Sequence, residues 1–86
     1  MKYIIVKGQV IESGIIFPET ITHKDVARIH RVGKNTVVSA GFVSLNSDET
    51  FYTYGRSESL DMDSRDTDKE VLQRSFGKFI RGEYDG

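Results

Sequence analysis

Runs of β-type residues alternate with two segments of helical period along the 86-residue chain. Residues 3–7 (Tyr-Ile-Ile-Val-Lys) and 9–17 (Gln-Val-Ile-Glu-Ser-Gly-Ile-Ile-Phe) are rich in β-branched and aromatic side chains, with Gly8 between them as a turn residue. They predict a first hairpin. Gly14 interrupts the second run and predicts a bulge or a break there, and Pro18, lacking an N–H, must end the strand near Phe17. The period changes at Thr20. Ile21, Val26 and Ile29 fall on or near one helical face, and Thr22 with Asp25 makes a variant capping box, so a short helix is expected over 22–31. Gly33-Lys34-Asn35 supplies its stop.

From Thr36 to Leu45 the alternation predicts a long strand, with Val38, Ala40 and Phe42 on one face and Val37, Ser39, Gly41, Val43 and Leu45 on the other. Both faces are apolar or small, so both need cover. Asn46-Ser47-Asp48-Glu49 is turn chemistry leading into a partner strand over 50–54. Residues 55–67 form a polar connection anchored only by Leu60 and Met62, and loops of that length are often functional or partly disordered. Thr67-Asp68-Lys69-Glu70 is a capping box opening a last helix over 67–81, with Val71, Leu72, Phe76, Phe79 and Ile80 as its apolar stripe. Residues 82–86 read as a frayed tail. The fold class predicted is α+β: a single domain over 1–86 with a small antiparallel sheet of about four strands. The C-terminal amphipathic helix would pack on one face and the short helix at an end or edge. A symmetric second copy would then cover the remaining sheet face, and the small size of the chain points the same way, to a homo-oligomer.

Composition narrows the chemistry. The chain is 37% hydrophobic and has eight glycines, which leaves apolar matter for a thin core only. With no cysteine, disulfide frameworks, zinc knuckles and thiol catalysis are excluded. The longest apolar run, Tyr3-Ile4-Ile5-Val6, is too short to span a membrane or to serve as a signal-peptide core, and a cytoplasmic location is expected. The net charge of −1 conceals an asymmetry, because residues 1–45 carry six basic and three acidic side chains and residues 46–86 six and ten. Lys24, Arg28, Arg31 and Lys34, with His23 and His30 nearby, oppose only Asp25. This basic patch is read as a docking surface for an acidic protein or for phosphates, or as a solvated face balanced by the acidic loop. Nucleic-acid binding is the minor reading, since it calls for an overall positive excess.

The acids Asp61, Asp63, Asp66 and Asp68 invite a calcium reading that their spacing fails. Counted from Asp61, an EF-hand loop would need Gly where Asp66 stands and a bidentate Glu where Leu72 stands. His23 and His30 lie seven residues apart, about 10 Å along a helix, too far to share a metal ion, and are read as surface or interface histidines. No nucleophile elbow, P-loop or dinucleotide fingerprint occurs, so neither a cofactor nor a metal nor catalysis is expected. Arg56, Ser57, Ser59, Ser64 and Arg65 are suitable materials for an anion pocket, since Arg presents a fork of donors. Turn and cap roles account for the same serines equally well.

The segments "IIFPETITHKDVA", "VVSAGFV", "YGRSESL" and "SRDTDKEVLQR" resemble a group of short phage and prophage-encoded proteins of unassigned function. The resemblance covers most of the chain from Ile16 to Arg74. It implies a phage setting and carries over no catalytic residues. By analogy with other phage chains of this size, the expected function is stoichiometric: occupying a host protein, for example one of an antiviral defence system. The alternative is an oligomeric sponge in which Arg56, Ser57, Ser59 and Arg65, joined by the basic residues of 24–34, hold a phosphorylated nucleotide.

Overall fold

The computed structural model describes residues 1–30, 36–48 and 50–80, without the side chains of 76–80. In chain order the elements are β1 (Lys2–Lys7), β2 (Glu12–Phe17), α1 (His23–Ile29), β3 (Val37–Leu45), β4 (Phe51–Tyr54), β5 (Arg56–Ser57), β6 (Met62–Asp63) and α2 (Asp68–Ile80). Strands β1 to β4 make one antiparallel sheet in the order β2-β1-β3-β4, and β5 with β6 makes a separate small hairpin. The architecture is the α+β fold expected from the periodicity.

Strand β1 is central because both of its faces are apolar. Tyr3, Ile4 and Ile5 are all fully buried, on alternating sides. Ile4 packs with Phe17, Val26, Ala27, Val37, Ala40 and Leu60 on the α1 side, while Tyr3 and Ile5 pack with Val43, Phe51, Val71 and Leu72 on the α2 side. Both faces of the central strand β1 are therefore covered within the chain. The expectation that a second copy would cover one of them is corrected, because α1 lies on a face rather than at an edge. The 55–67 segment completes the cover by folding back as the β5–β6 hairpin, with Leu60 buried and Met62 packed on the same cluster.

Other boundaries follow local chemistry. Pro18 ends β2 at Phe17 as expected. Strand β2 begins only at Glu12, since Gly8 N–H donates to Ile11 O at 2.9 Å and leaves Val10 91% exposed at the tip. Gly14 makes no bulge: the register runs through it opposite Ile5. It is small because a Cβ there would lie 2.4 Å from Leu72 Cδ2, inside the core. The irregularity falls in β3 instead, where Ile5 pairs with Ser39 but Val6 pairs with Val37. Skipping Val38 turns Val37 to the α1 side with Ala40 and leaves Val38 on the α2 side, against strict alternation. In α1, Thr22 Oγ1 accepts from Asp25 N–H at 3.0 Å, as the capping box requires. The helix is shorter than expected, and Ile29 is 66% exposed rather than part of the buried stripe. The stop at 33–35 and the tail at 82–86 lie outside the described residues, as do the side chains of Phe76, Phe79 and Ile80.

The start of α2 is organised by a buried carboxylate. Asp68 is fully buried, and its Oδ1 accepts from Ser39 Oγ at 2.7 Å and from Arg65 Nε at 2.9 Å. Its Oδ2 accepts from Tyr3 OH and from the Arg65 backbone N–H at 2.8 Å. Arg65 extends the network to β2, where its Nη2 lies 2.7 Å from Glu12 Oε1. No side-chain bond joins Thr67 and Glu70 among the described residues; the Thr67 carbonyl accepts from the amides of Glu70 and Val71.

Burial and the hydrogen bond to Asp68 raise the Tyr3 phenol well above its usual value of 10.0. Only the unfolded chain then ionises Tyr3 near that value, so this contribution to stability is complete below pH 10 and lost as pH rises beyond it. Urea denaturation across pH 8–11 should show that alkaline loss diminished in Tyr3→Phe, which at neutral pH costs about 1–3 kcal/mol through the bond removed from Asp68.

Candidate functional site

The residues singled out for an anion pocket are near one another, but each already serves the fold. Gly55 enters the hairpin with φ +75, a conformation that glycine adopts without strain. Arg56 then bonds three carboxylates: Asp61 Oδ1 at 2.5 Å, Asp63 Oδ1 at 3.1 Å and Glu58 Oε2 at 3.3 Å. Ser57 Oγ accepts from Leu60 N–H at 3.1 Å and closes the turn. Ser59 Oγ accepts from the Lys24 backbone N–H at 3.1 Å and joins the hairpin to α1. Ser64 Oγ donates to Gly55 O at 2.8 Å, and Arg65 is held by Glu12 and Asp68. The Glu12 hydrogen bond raises the Arg65 guanidinium further, while that same bond holds the Glu12 carboxyl below its ordinary value. The turn and ion-pair roles of these residues are the ones observed.

The basic patch divides similarly. Lys24 and Arg28 are exposed on α1, and Arg28 pairs with Asp25 at 2.8 Å. Arg31 and Lys34 lie outside the described residues. His23, expected at the surface or an interface, is buried at 3% exposure within the chain. Its Nε2–H donates to Gly41 O at 2.8 Å, since a carbonyl can only accept, and its ring stands edge-on to Phe17 and Phe42. Beside it a cleft of about 450 Å³ is lined by Lys2, Thr22, His23, Phe42, Arg56, Glu58 and Ser59. Lys2 Nζ, the other cation there, donates to Ile21 O at 3.1 Å. No group of three or more potential metal ligands occurs among the described residues.

The two edges of the sheet differ in a way the sequence did not announce. Gly8 N–H bonds Ile11 O, and by the antiparallel alternation the backbone groups of Glu12, Gly14 and Ile16 then face away from β1. Side chains of α2 occupy two of them: Arg74 Nη2 donates to Glu12 O at 3.0 Å, and Gly14 N–H donates to Ser75 Oγ at 3.4 Å. At the other edge Asn46 N–H donates to Thr50 O at 2.8 Å, which by the same alternation turns the N–H and C=O of Phe51 and Thr53 away from β3. Among the described residues no strand lies beside them.

Exposed aromatic rings flank this open edge. Tyr52 is 55% and Tyr54 41% exposed on the α1 side, where Tyr52, Tyr54 and Phe42 form a stack with centroids 5.5 and 5.7 Å apart. On the α2 side a groove of about 390 Å³ runs between the helix and β4 with its turn, lined by Asn46, Thr50, Phe51, Tyr52, Lys69, Glu70 and Gln73. Gln73 Oε1 is buried and has no hydrogen-bond partner among the described residues. The signal available in the sequence was the spacing of Tyr52 and Tyr54, which places two tyrosines on one strand face that no apolar layer needed; Gln73 gave none.

Burial pushes the His23 imidazole below its usual value of 6.5. A base depressed in this way stabilises the fold above that pH and ceases to do so as pH falls through its folded value, because only the unfolded chain takes up the proton readily. Melting temperature measured from pH 7.5 to 5 should therefore decline, and His23→Phe should flatten the decline. No described helix is long and apolar enough to cross a membrane. No protein-family model, curated protein or solved structure matches the chain.

Proposed function

We propose that the chain is a non-enzymatic binding protein that acts stoichiometrically on another protein. In the phage setting implied by the resemblance, that partner is a host protein of the cytoplasm, for example one of an antiviral defence system. The observation that carries this reading is the β4 edge: outward backbone groups at Phe51 and Thr53 beside exposed Tyr52 and Tyr54, while the opposite edge is occupied by Arg74 and Ser75. Tyrosine is enriched at protein interfaces because it buries a large ring at low entropic cost and keeps a polar end. The polar residues that suggested chemistry are absorbed in turns, caps and ion pairs, which supports the same reading. Self-association remains proposed on chain size alone.

A nucleotide sponge is the second reading, and the cleft beside His23 is what favours it, since its volume suits a small molecule. Its cations argue against a phosphate. Arg56 faces Glu58, Asp61 and Asp63 together, so an incoming anion meets an excess of negative charge. A thermal-shift screen with mono- and cyclic nucleotides should leave the melting temperature unchanged, and a saturable rise abolished by Arg56→Ala would reinstate the sponge.

For the first reading, the immobilised chain should retain a protein from bacterial host lysate at physiological salt, identified by mass spectrometry. Tyr52→Lys, at an exposed position, should release that protein while leaving the melting curve near that of the parent. Retention of nothing, or retention indifferent to Tyr52→Lys, would overturn it.

A further inference from the structure

We infer that the groove beside β4 receives an extended segment of a partner protein, which adds to the sheet as a fifth strand; this rests on the protein-binding reading above. The N–H and C=O groups of Phe51 and Thr53 are four backbone hydrogen-bonding groups in the arrangement that strand addition uses. A strand laid along them alternates its side chains between the two sheet faces. On the α2 side, every second residue enters the groove between β4 and the helix, where Phe51 forms an apolar wall. On the α1 side, the intervening residues meet Tyr52 and Tyr54.

Gln73 also lines the groove, and its buried Oε1 has no hydrogen-bond partner among the described residues. The segment recognised is thus extended, apolar at alternate positions and free of proline at its centre. A second copy of this chain is the poorer occupant. The side chains that β4 turns to the α2 side are Phe51, held in its own core, and the half-buried Thr53. A second β4 therefore has no free apolar side chain to place in the groove.

The test uses a displayed library of random decapeptides panned against the intact 86-residue chain. Enriched peptides should carry apolar residues at alternate positions, and should slow hydrogen exchange at the Phe51 and Thr53 amides. N-methylation of one central peptide nitrogen, which removes a backbone donor and leaves the protein untouched, should weaken binding at least about ten-fold. Absence of enrichment, indifference to N-methylation at every central position, or protection confined to other amides would overturn the inference. So would light scattering that shows a dimer with the β4 amides already protected. If lysate capture depends on Tyr52 while the peptide results fail, the binding reading stands and strand addition falls.

Discussion

The carboxylate of Asp68 is the point on which the rest of the structure depends. A charge removed from water is tolerated only where hydrogen bonds and an opposite charge replace its hydration, and Asp68 has Tyr3 from β1, Ser39 from β3 and both backbone and side chain of Arg65. Those partners come from separate elements, so satisfying one carboxylate fixes the entry of α2 relative to two central strands. Arg65 then reaches Glu12, which ties the same point to β2. With its start set this way, α2 places Leu72 over Gly14 and brings Arg74 and Ser75 to the backbone of β2. The helix is thereby committed to one edge, and its other flank stands along β4 with a groove between them.

The arginines show how the same residue types can serve opposite ends. A guanidinium in a loop binds an anion when its donors are free and the local field is positive. Arg56 has neither condition, because the hairpin that positions it also supplies Glu58, Asp61 and Asp63. The acids that looked like cation ligands and the arginine that looked like an anion ligand neutralise one another, and together they stiffen a connection that has little apolar anchorage beyond Leu60 and Met62. The hairpin in turn covers the α1 face and holds α1 through Ser59. A segment that composition marks as a functional loop is thus built into the fold.

Much of the fold was legible because local signals and burial agree in it. The alternation in 3–7 and 36–45, Pro18 after Phe17 and the Thr22–Asp25 cap each act over a few residues, and each is found in place. What escaped depends on contacts between residues distant in sequence. Gly14 was read as a local irregularity, yet its size answers to Leu72 from α2, and the true irregularity at Val38 has no local mark. His23 resembled a surface residue of a basic helix, but Gly41 O and the rings of Phe17 and Phe42 give it a buried seat. Asp68 was read as part of a helix-start capping box, and its buried role became visible only once Tyr3 and Ser39 stood opposite. The site was harder still, since an open edge is a property of strand order, which no single segment encodes.

Edge strands are commonly protected by charges, by proline, by bulges or by a covering element, because their unpaired groups otherwise recruit other chains. Strand β2 has such cover from Arg74 and Ser75, and the charged Glu12 at its start. Strand β4, Phe51-Tyr52-Thr53-Tyr54, carries no charge and no proline, and its shortness is its main restraint. Four residues offer too few hydrogen bonds for indiscriminate aggregation to be strong, and in the proposed complex the groove and the tyrosines would add to them. Backbone pairing supplies affinity common to any extended chain, and the two flanking surfaces supply discrimination between chains. The same chain closes one edge with side chains from α2 and leaves the other bounded by aromatic rings and an amide without a donor. That asymmetry is the physical basis of the proposed binding edge.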